Sequence, residues 1–266
     1  MKFIHLTDLH VCVGTQEKPL ARAVEQTRAA IAEINRMHSD AELCVITGDI
    51  VADPDPAAYR LAEELLSTLR MPTYCLLGNH DDRDMAGSAL STVSMDENGF
   101  LQSVIRTSQG LFLTLDTKAG VGHGGELCLR RLNWIADRLA ANPGPVRVFM
   151  HHAPFATGLA AMDTIGLEAK SAEALGQLFD AHGNIQHLFF GHYHRPMSRV
   201  WRGVPFSSHR SMMLQCALNL SELELVSAIY EEPQFAVVLA HKDRTIVHYH
   251  DFAAAVEGAN MGPASG

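Results

Sequence analysis

Residues 2–10 read Lys2-Phe3-Ile4-His5-Leu6-Thr7-Asp8-Leu9-His10. The apolar run Lys2–Leu6 reads as a strand, and Asp8 and His10 follow it two residues apart. In extended backbone, residues i and i+2 point to the same side, so these two side chains can reach one point together. The same arrangement recurs down the chain. Gly48-Asp49 follows an apolar run at 43–46, and Gly78-Asn79-His80-Asp81 follows one at 74–77. His151-His152 follows Val146–Met150, and Gly191-His192-Tyr193-His194 follows a run at 186–190. Five polar clusters therefore stand just past the carboxyl ends of five expected strands, the edge where open α/β sheets bind ligands.

Between these runs lie amphipathic stretches. Leu20, Val24, Ile31 and Ile34 share a face over 19–36. Asp55 and Pro56 supply an N-cap and a first-turn proline for a helix carrying Leu61, Leu65, Leu66 and Leu69. Helices are also expected over 126–141 and 171–181, and an antiparallel pair over 101–105 and 111–115. After Arg195 helices become rare, and short strands are expected at 199–201, 205–208, 235–240 and 245–250. The organisation is one catalytic core over 1–200. Residues 201–257 form a β-rich part of the same domain, as a cap or a dimer interface, and 258–266 form a flexible tail.

The composition excludes several classes. The 266 residues are 47% hydrophobic and 19% charged, which is ordinary globular usage. No apolar run of about 18 residues exists to cross a membrane. The amino-terminal apolar stretch is broken too soon by Asp8 and His10 to be a signal peptide. Thirty acidic residues against 21 basic ones give a net charge of −9, which disfavours a nucleic-acid polymer or an anionic membrane as partner. Five scattered cysteines without a CxxC argue against disulfides or structural zinc and fit a reducing cytoplasm. The unusual count is 15 histidines.

Carboxylate, imidazole and amide oxygen are donors that suit Mn²⁺, Fe, Co²⁺ or Zn²⁺. The glycines at 48, 78 and 191 let the chain turn sharply out of a strand and leave room beside a metal or a phosphate. Taken singly each block has a plainer reading: Asp8 as a turn residue, Gly78-Asn79 as a tight turn. His5 reads as structural. His123 and His209 are the two unassigned histidines placed to border a pocket, while Met212 to Leu214 reads as packing or an interface.

All five blocks, in this order over roughly residues 4–195, resemble the calcineurin-like metallophosphoesterases. The details look most like the bacterial class III branch that hydrolyses 3′,5′-cyclic nucleotides and glycerophosphodiesters. The resemblance implies a four-layer αββα sandwich, two mixed sheets flanked by helices, with a dinuclear site of two divalent ions. Carried over by position, Asp8, His10 and His194 hold one ion, Asn79, His151 and His192 the other, and Asp49 bridges. Asn79, His80 and His194 contact substrate. His80 is implied to orient the phosphate or protonate the leaving oxygen, polarised by Asp81; His152 receives no role. Such ions activate water for in-line attack on phosphorus. The expected activity is hydrolysis of a small phosphodiester in the cytoplasm, by a chain that forms a homo-oligomer through its C-terminal strands. The rival readings are a phosphomonoesterase on the same core and a non-catalytic interaction protein of the same fold.

Overall fold

The computed structural model describes residues 1–15, 17–221 and 225–252. In chain order the first half comprises β1 (Lys2–Leu6), α1 (Lys18–Met37), β2 (Cys44–Thr47), α2 (Pro56–Leu66), β3 (Thr73–Leu76) and α3 (Arg83–Ala89). The second comprises β4 (Ser103–Thr107), β5 (Gly110–Thr114), α4 (Leu129–Ala140), β6 (Val146–Met150), α5 (Ala160–Asp163), α6 (Ala169–His182) and β7 (Ile185–Phe190). Strands β8 (Met197–Trp201), β9 (Val204–Ser208), β10 (Gln215–Cys216), β11 (Ala228–Ile229), β12 (Gln234–Ala240) and β13 (Thr245–Asp251) follow.

Two mixed sheets result, in the orders β13-β12-β1-β2-β3 and β4-β5-β6-β7-β9-β8. Strands β1, β2 and β3 run parallel, as do β5, β6, β7 and β9. Strands buried on both faces read as continuous apolar runs, which is why no polar alternation marks them. Between the sheets lies an aromatic layer: the Phe149 and Phe189 rings stack at 4.8 Å and the edge of Phe3 meets Phe112 at 5.0 Å. Outside the first sheet, Ile4, Leu6, Cys44 and Ile46 pack on Ile31 and Ile34 of α1 and Leu65 and Leu66 of α2. Outside the second, Leu111, Val148 and Leu188 pack on Ile135 and Leu139 of α4 and Leu175 and Phe179 of α6. The four layers expected from the resemblance are present.

Local chemistry sets the helix ends. Asp55 caps α2 by accepting from the Ala57 amide at 3.0 Å, and Gly183 closes α6 in the left-handed conformation. The α4 helix starts at Leu129 rather than 126. The Glu126 amide is held by Thr117 O and the Leu127 amide by Ser171 Oγ, both at 2.9 Å, so this stretch stays extended. The seven-residue α3 was not expected, because only Ala86 of it is buried and no stripe shows. The Asp82 side chain caps it, accepting from Met85 N.

The chain beyond Arg195 supplies parts of both sheets. Strand β12 pairs antiparallel with β1, Lys2 opposite Leu239, and buries Phe235, Ala236 and Val238 completely. Strands β9 and β8 close the other sheet beside β7. The short β10–β11 pair lies apart from both sheets. The expected tail at 258–266 lies outside the described residues.

Candidate metal centre

Each polar block leaves its strand through a sharp backbone turn. Among the described residues six non-glycine positions have positive φ, and five are Asp8, His10, Asp49, His192 and His194, at 47–71°. Such positions cost on the order of 1–3 kcal/mol each, and they persist where the surroundings over-determine them. Here Asp8 N donates to Gly48 O at 3.0 Å and His10 N to Asp49 O at 2.9 Å, lacing the first two loops together. Crowding explains the glycines: a Cβ on Gly48 would lie 2.5 Å from Gly78 N, and one on Gly78 would fall on the Asp49 carboxylate.

The side chains so delivered converge. His194 Nε2 lies 3.3 Å from Asp8 Oδ1 and 3.1 Å from His10 Nε2. Asp49 Oδ2 sits between His10 Nε2 at 3.7 Å and His151 Nε2 at 3.4 Å, and His151 Nε2 is 3.0 Å from Asn79 Oδ1. Donor atoms of Asp8, His10, Asp49 and His194 lie within 4.8 Å of one another, as do those of His151, His152 and His192. All the residues expected as ligands therefore meet at one edge of the sandwich, and Asp49 faces both groups.

The donor set fits divalent cations. Asp8 and Asp49 are buried, and among the described residues no lysine or arginine pairs with either. Burial would raise both carboxyls, yet His194 holds Asp8 below the usual range, and His151 and His10 hold Asp49 well below it. Burial would likewise lower His151 and His194, but Asp49 lifts His151 to about 9 and Asp8 raises His194. Burial drives His10 down to about 3, and drives His192 low with His152 adding to it. His192 Nε2 is buried with no hydrogen-bond partner. Backbone carbonyls fix two tautomers: His151 Nδ1 donates to Thr47 O at 2.8 Å and His194 Nδ1 to Leu214 O at 2.7 Å, leaving both Nε2 lone pairs turned inward.

Around the donors the structure adds groups the sequence did not single out. Thr7 Oγ1 donates to Asp8 Oδ2 at 2.5 Å, Thr47 Oγ1 to Thr7 Oγ1 at 2.8 Å, and His5 Nε2 to Thr47 Oγ1 at 2.9 Å. A threonine inside an apolar run looks like any strand former, so nothing in the sequence marked this relay. His209 packs its ring on His5 at 4.6 Å between the sheets and does not line the cavity. His123 does line it, and its Nδ1 accepts from Asn79 Nδ2 at 2.9 Å.

His80 lines the cavity, its Nδ1 donating to Ala52 O at 2.7 Å and its amide to Asp49 Oδ1 at 2.9 Å. Asp81 corrects the expectation that it polarises His80. Its carboxylate instead accepts from the amides of Gly78, Ile50 and Val51 at 2.8–3.2 Å, tying the β2 and β3 loops together. Burial and the Asp49 charge push it up to about 6 in spite of those amides.

The cavity over these residues holds about 360 Å³. Its lining combines donor-cluster residues, His80 and His123 with the apolar side chains of Met162, Ile165, Met213, Leu214 and Val226. Met213 and Leu214, expected as packing or an interface, thus form cavity wall; only Met212 is core.

A two-sheet α/β sandwich with carboxylate, amide and imidazole donors gathered at one strand edge defines a metal-dependent hydrolase. Residues 1–196 match the family model described as calcineurin-like phosphoesterase, and the chain belongs to that family. It is 36% identical over 256 residues, 95% of this chain and 93% of the other, to a protein of Rhodopseudomonas palustris named a probable cyclic nucleotide phosphodiesterase. It is 26% identical over 231 residues, 86% of this chain and 84% of the other, to a probable glycerophosphodiester phosphodiesterase, GpdQ, of Arcobacter nitrofigilis. These relatives carry the names of the bacterial branch that the five blocks resemble. Among solved structures, a dimetal phosphatase from Danio rerio superposes with a TM-score of 0.69 at 15% identity, covering 94% of this chain and 95% of that one, which establishes likeness of fold. No helix among the described residues is long and apolar enough to cross a membrane.

Proposed function

We propose that this chain hydrolyses 3′,5′-cyclic nucleotides with two divalent ions at the described centre. The observation that carries the reading is the cavity's mixed lining, metal-ligand donors together with apolar side chains. A phosphodiester must present a compact anion to the donor cluster and an apolar, flat-faced group to the side chains of Met162, Ile165, Met213, Leu214 and Val226. A nucleobase does this, whereas a glycerol moiety has no apolar face to offer. The cavity lining contains no lysine or arginine. Its added positive charge would come from the ions alone, which suits the single charge of a diester better than the double charge of a monoester. The name of the Rhodopseudomonas relative supports the same substrate class. A glycerophosphodiester is the second reading, favoured by the likeness to the Arcobacter protein.

In this reading Asp8, His10, Asp49 and His194 would hold one ion, and Asn79, His151, His192 and Asp49 the second. Bound there, the ions supply Lewis acidity, lowering the pKa of water and neutralising charge on the phosphoryl oxygens. The protein's residues do the rest. Thr7 and Thr47 fix the Asp8 carboxylate. Asp81, through the amides of Ile50, Val51 and Gly78, sets the spacing of the Asp49 and Asn79 loops. Since His80 Nδ1–H is held by Ala52 O, its Nε2 is the atom that meets substrate; in the imidazolium form Nε2–H would orient the phosphate and pass its proton to the leaving oxygen, leaving a neutral ring with Nδ1–H still on Ala52 O. The apolar lining keeps water from the substrate. Five unpaired cysteines fit action in the cytoplasm.

The test is to strip the protein of metal, restore Mn²⁺, and compare kcat/KM on cyclic AMP, glycerophosphocholine and an aryl phosphate monoester. Cyclic AMP is expected to lead. Leadership by glycerophosphocholine would move the substrate to the second reading, and leadership by the monoester would overturn the diester assignment.

A further inference from the structure

His152 lies in the thick of the centre, its ring 4.9 Å from that of His151 and 4.7 Å from that of His192, yet both of its nitrogens are engaged elsewhere. Nε2 is 3.0 Å from His123 O, and a carbonyl only accepts, so Nε2 carries the proton. Nδ1 then accepts from the Thr117 hydroxyl at 2.9 Å. No lone pair is left for a cation. What His152 holds is a loop. Four of the six residues from 120 to 125 are glycine, so this segment is ordered only by what anchors it. Gly125 is pressed on the imidazole: a Cβ there would lie 2.6 Å from His152 Cγ. Behind it, Gly125 N donates to Gly166 O at 3.0 Å. At the loop's tip the His123 ring reaches back to Asn79, Nδ1 accepting from the amide nitrogen. An asparagine amide has two nearly isosteric ends, and it serves as a ligand only with its oxygen turned inward. The bond to His123 claims the nitrogen and leaves Oδ1 facing His151 at 3.0 Å.

We propose that His152 is a positioning residue, which clamps the glycine-rich segment 120–125 over the centre and, through His123, fixes the orientation of the Asn79 amide. The proposal rests on the reading of the site as a centre for two divalent ions. Calorimetric titration of the metal-stripped chain with Mn²⁺, alongside kcat and KM, tests both levels. Wild type is expected to take two ions. His152→Phe, which keeps the ring but has no hydrogen-bonding atoms, should retain one ion at wild-type affinity, weaken the other about tenfold or more, and lower kcat in proportion. His152→Gln, which restores a donor toward His123 O, should recover most of both. His123→Ala, on an exposed loop, should reproduce the His152→Phe defect, and the double variant should be no worse than the poorer single one. Loss of the second ion in both His152 variants with His123→Ala unaffected would make His152 a ligand and overturn the clamp. So would effects that multiply in the double variant, or a wild-type His152→Phe. If His152→Phe does not fold, His123→Ala decides alone: a wild-type second site there overturns the proposal. Failure of wild type to take Mn²⁺ would bring down the metal reading itself, and the clamp with it.

Discussion

Two buried histidines of this sandwich behave in opposite ways. At the strand edge His151 is lifted to about 9, while between the sheets His187 is pressed down to about 3. They stand on neighbouring, paired strands. Burial lowers both; the difference is the neighbours. His151 has Asp49 at 3.4 Å, whereas His187 has the Ser207 hydroxyl at 2.9 Å, the Phe189 ring at 4.3 Å and the Arg147 cation acting against it. His5 and His209 share the fate of His187, His209 falling to about 4 through burial. Burial alone lowers an imidazole, and a carboxylate in close contact works against it: Asp49 reverses the shift at His151 but not at His10, where burial still wins. The backbone follows the same division. Asp8, His10, Asp49, His192 and His194 of the edge group stand on left-handed residues, while His5 and His187 sit in regular strand.

The largest expected effect comes from removing the carboxylate that defines the edge group. Asp49→Ala should abolish Mn²⁺ binding and lower kcat/KM by roughly a thousandfold or more, checked by calorimetry and steady-state kinetics. Retention of both would break the distinction at its root. The next effect lies in the interior. Arg147, buried without a carboxylate partner, donates to Thr245 Oγ1 and to the carbonyls of Gln109, His241 and Arg244, riveting the β12–β13 hairpin to β6. Arg147→Met should cost about 3 kcal/mol in urea denaturation, because it removes the donors that Gln109 O, His241 O, Arg244 O and Thr245 Oγ1 share from this one guanidinium. A third test concerns acid. The folded pKa of His187 is depressed, so the unfolded chain binds the extra proton. Stability is full above the ordinary value of 6.5 and is lost as pH falls toward about 3, at up to about 1.4 kcal/mol per pH unit. His187→Asn should flatten that slope between about pH 6 and 4 in denaturation midpoints; an unchanged slope would assign the loss to other groups. The smallest effect is expected from Thr7→Val, which removes one hydrogen bond to Asp8 while keeping shape. About a tenfold loss of activity with a stability change near 1 kcal/mol would sharpen the link between the inner layer and the edge.

Much of the edge group was legible because each candidate ligand follows its strand directly, so local spacing already encodes convergence. The layers were legible through apolar runs and the family resemblance. What the sequence withheld depends on contacts between distant segments. Thr7 and Thr47 gain meaning only when β1 lies beside β2. His123 reaches Asn79 across 44 positions from a loop whose glycines signal nothing but freedom. Asp81 follows His80 in sequence, yet its carboxylate turns to the amides of the neighbouring loop. Met213 and Leu214 carry no chemistry of their own, and their role arises from facing a cavity. Helix α3 is set by the Asp82 cap rather than by a buried stripe.

The pairing of β12 with β1 has a consequence for biosynthesis. Lys2 is made before its partner Leu239, which follows 237 positions later. At about 5–20 residues per second, the opening strand waits on the order of ten seconds or more with one hydrogen-bonding edge uncovered. The strands from β4 to β9 are made before that. Between Ser208 and Leu239, about 1.5–6 s at that rate, the strands of the second sheet have all been made while the first is still open, exposed to mispairing and to chaperones that bind unpaired strands.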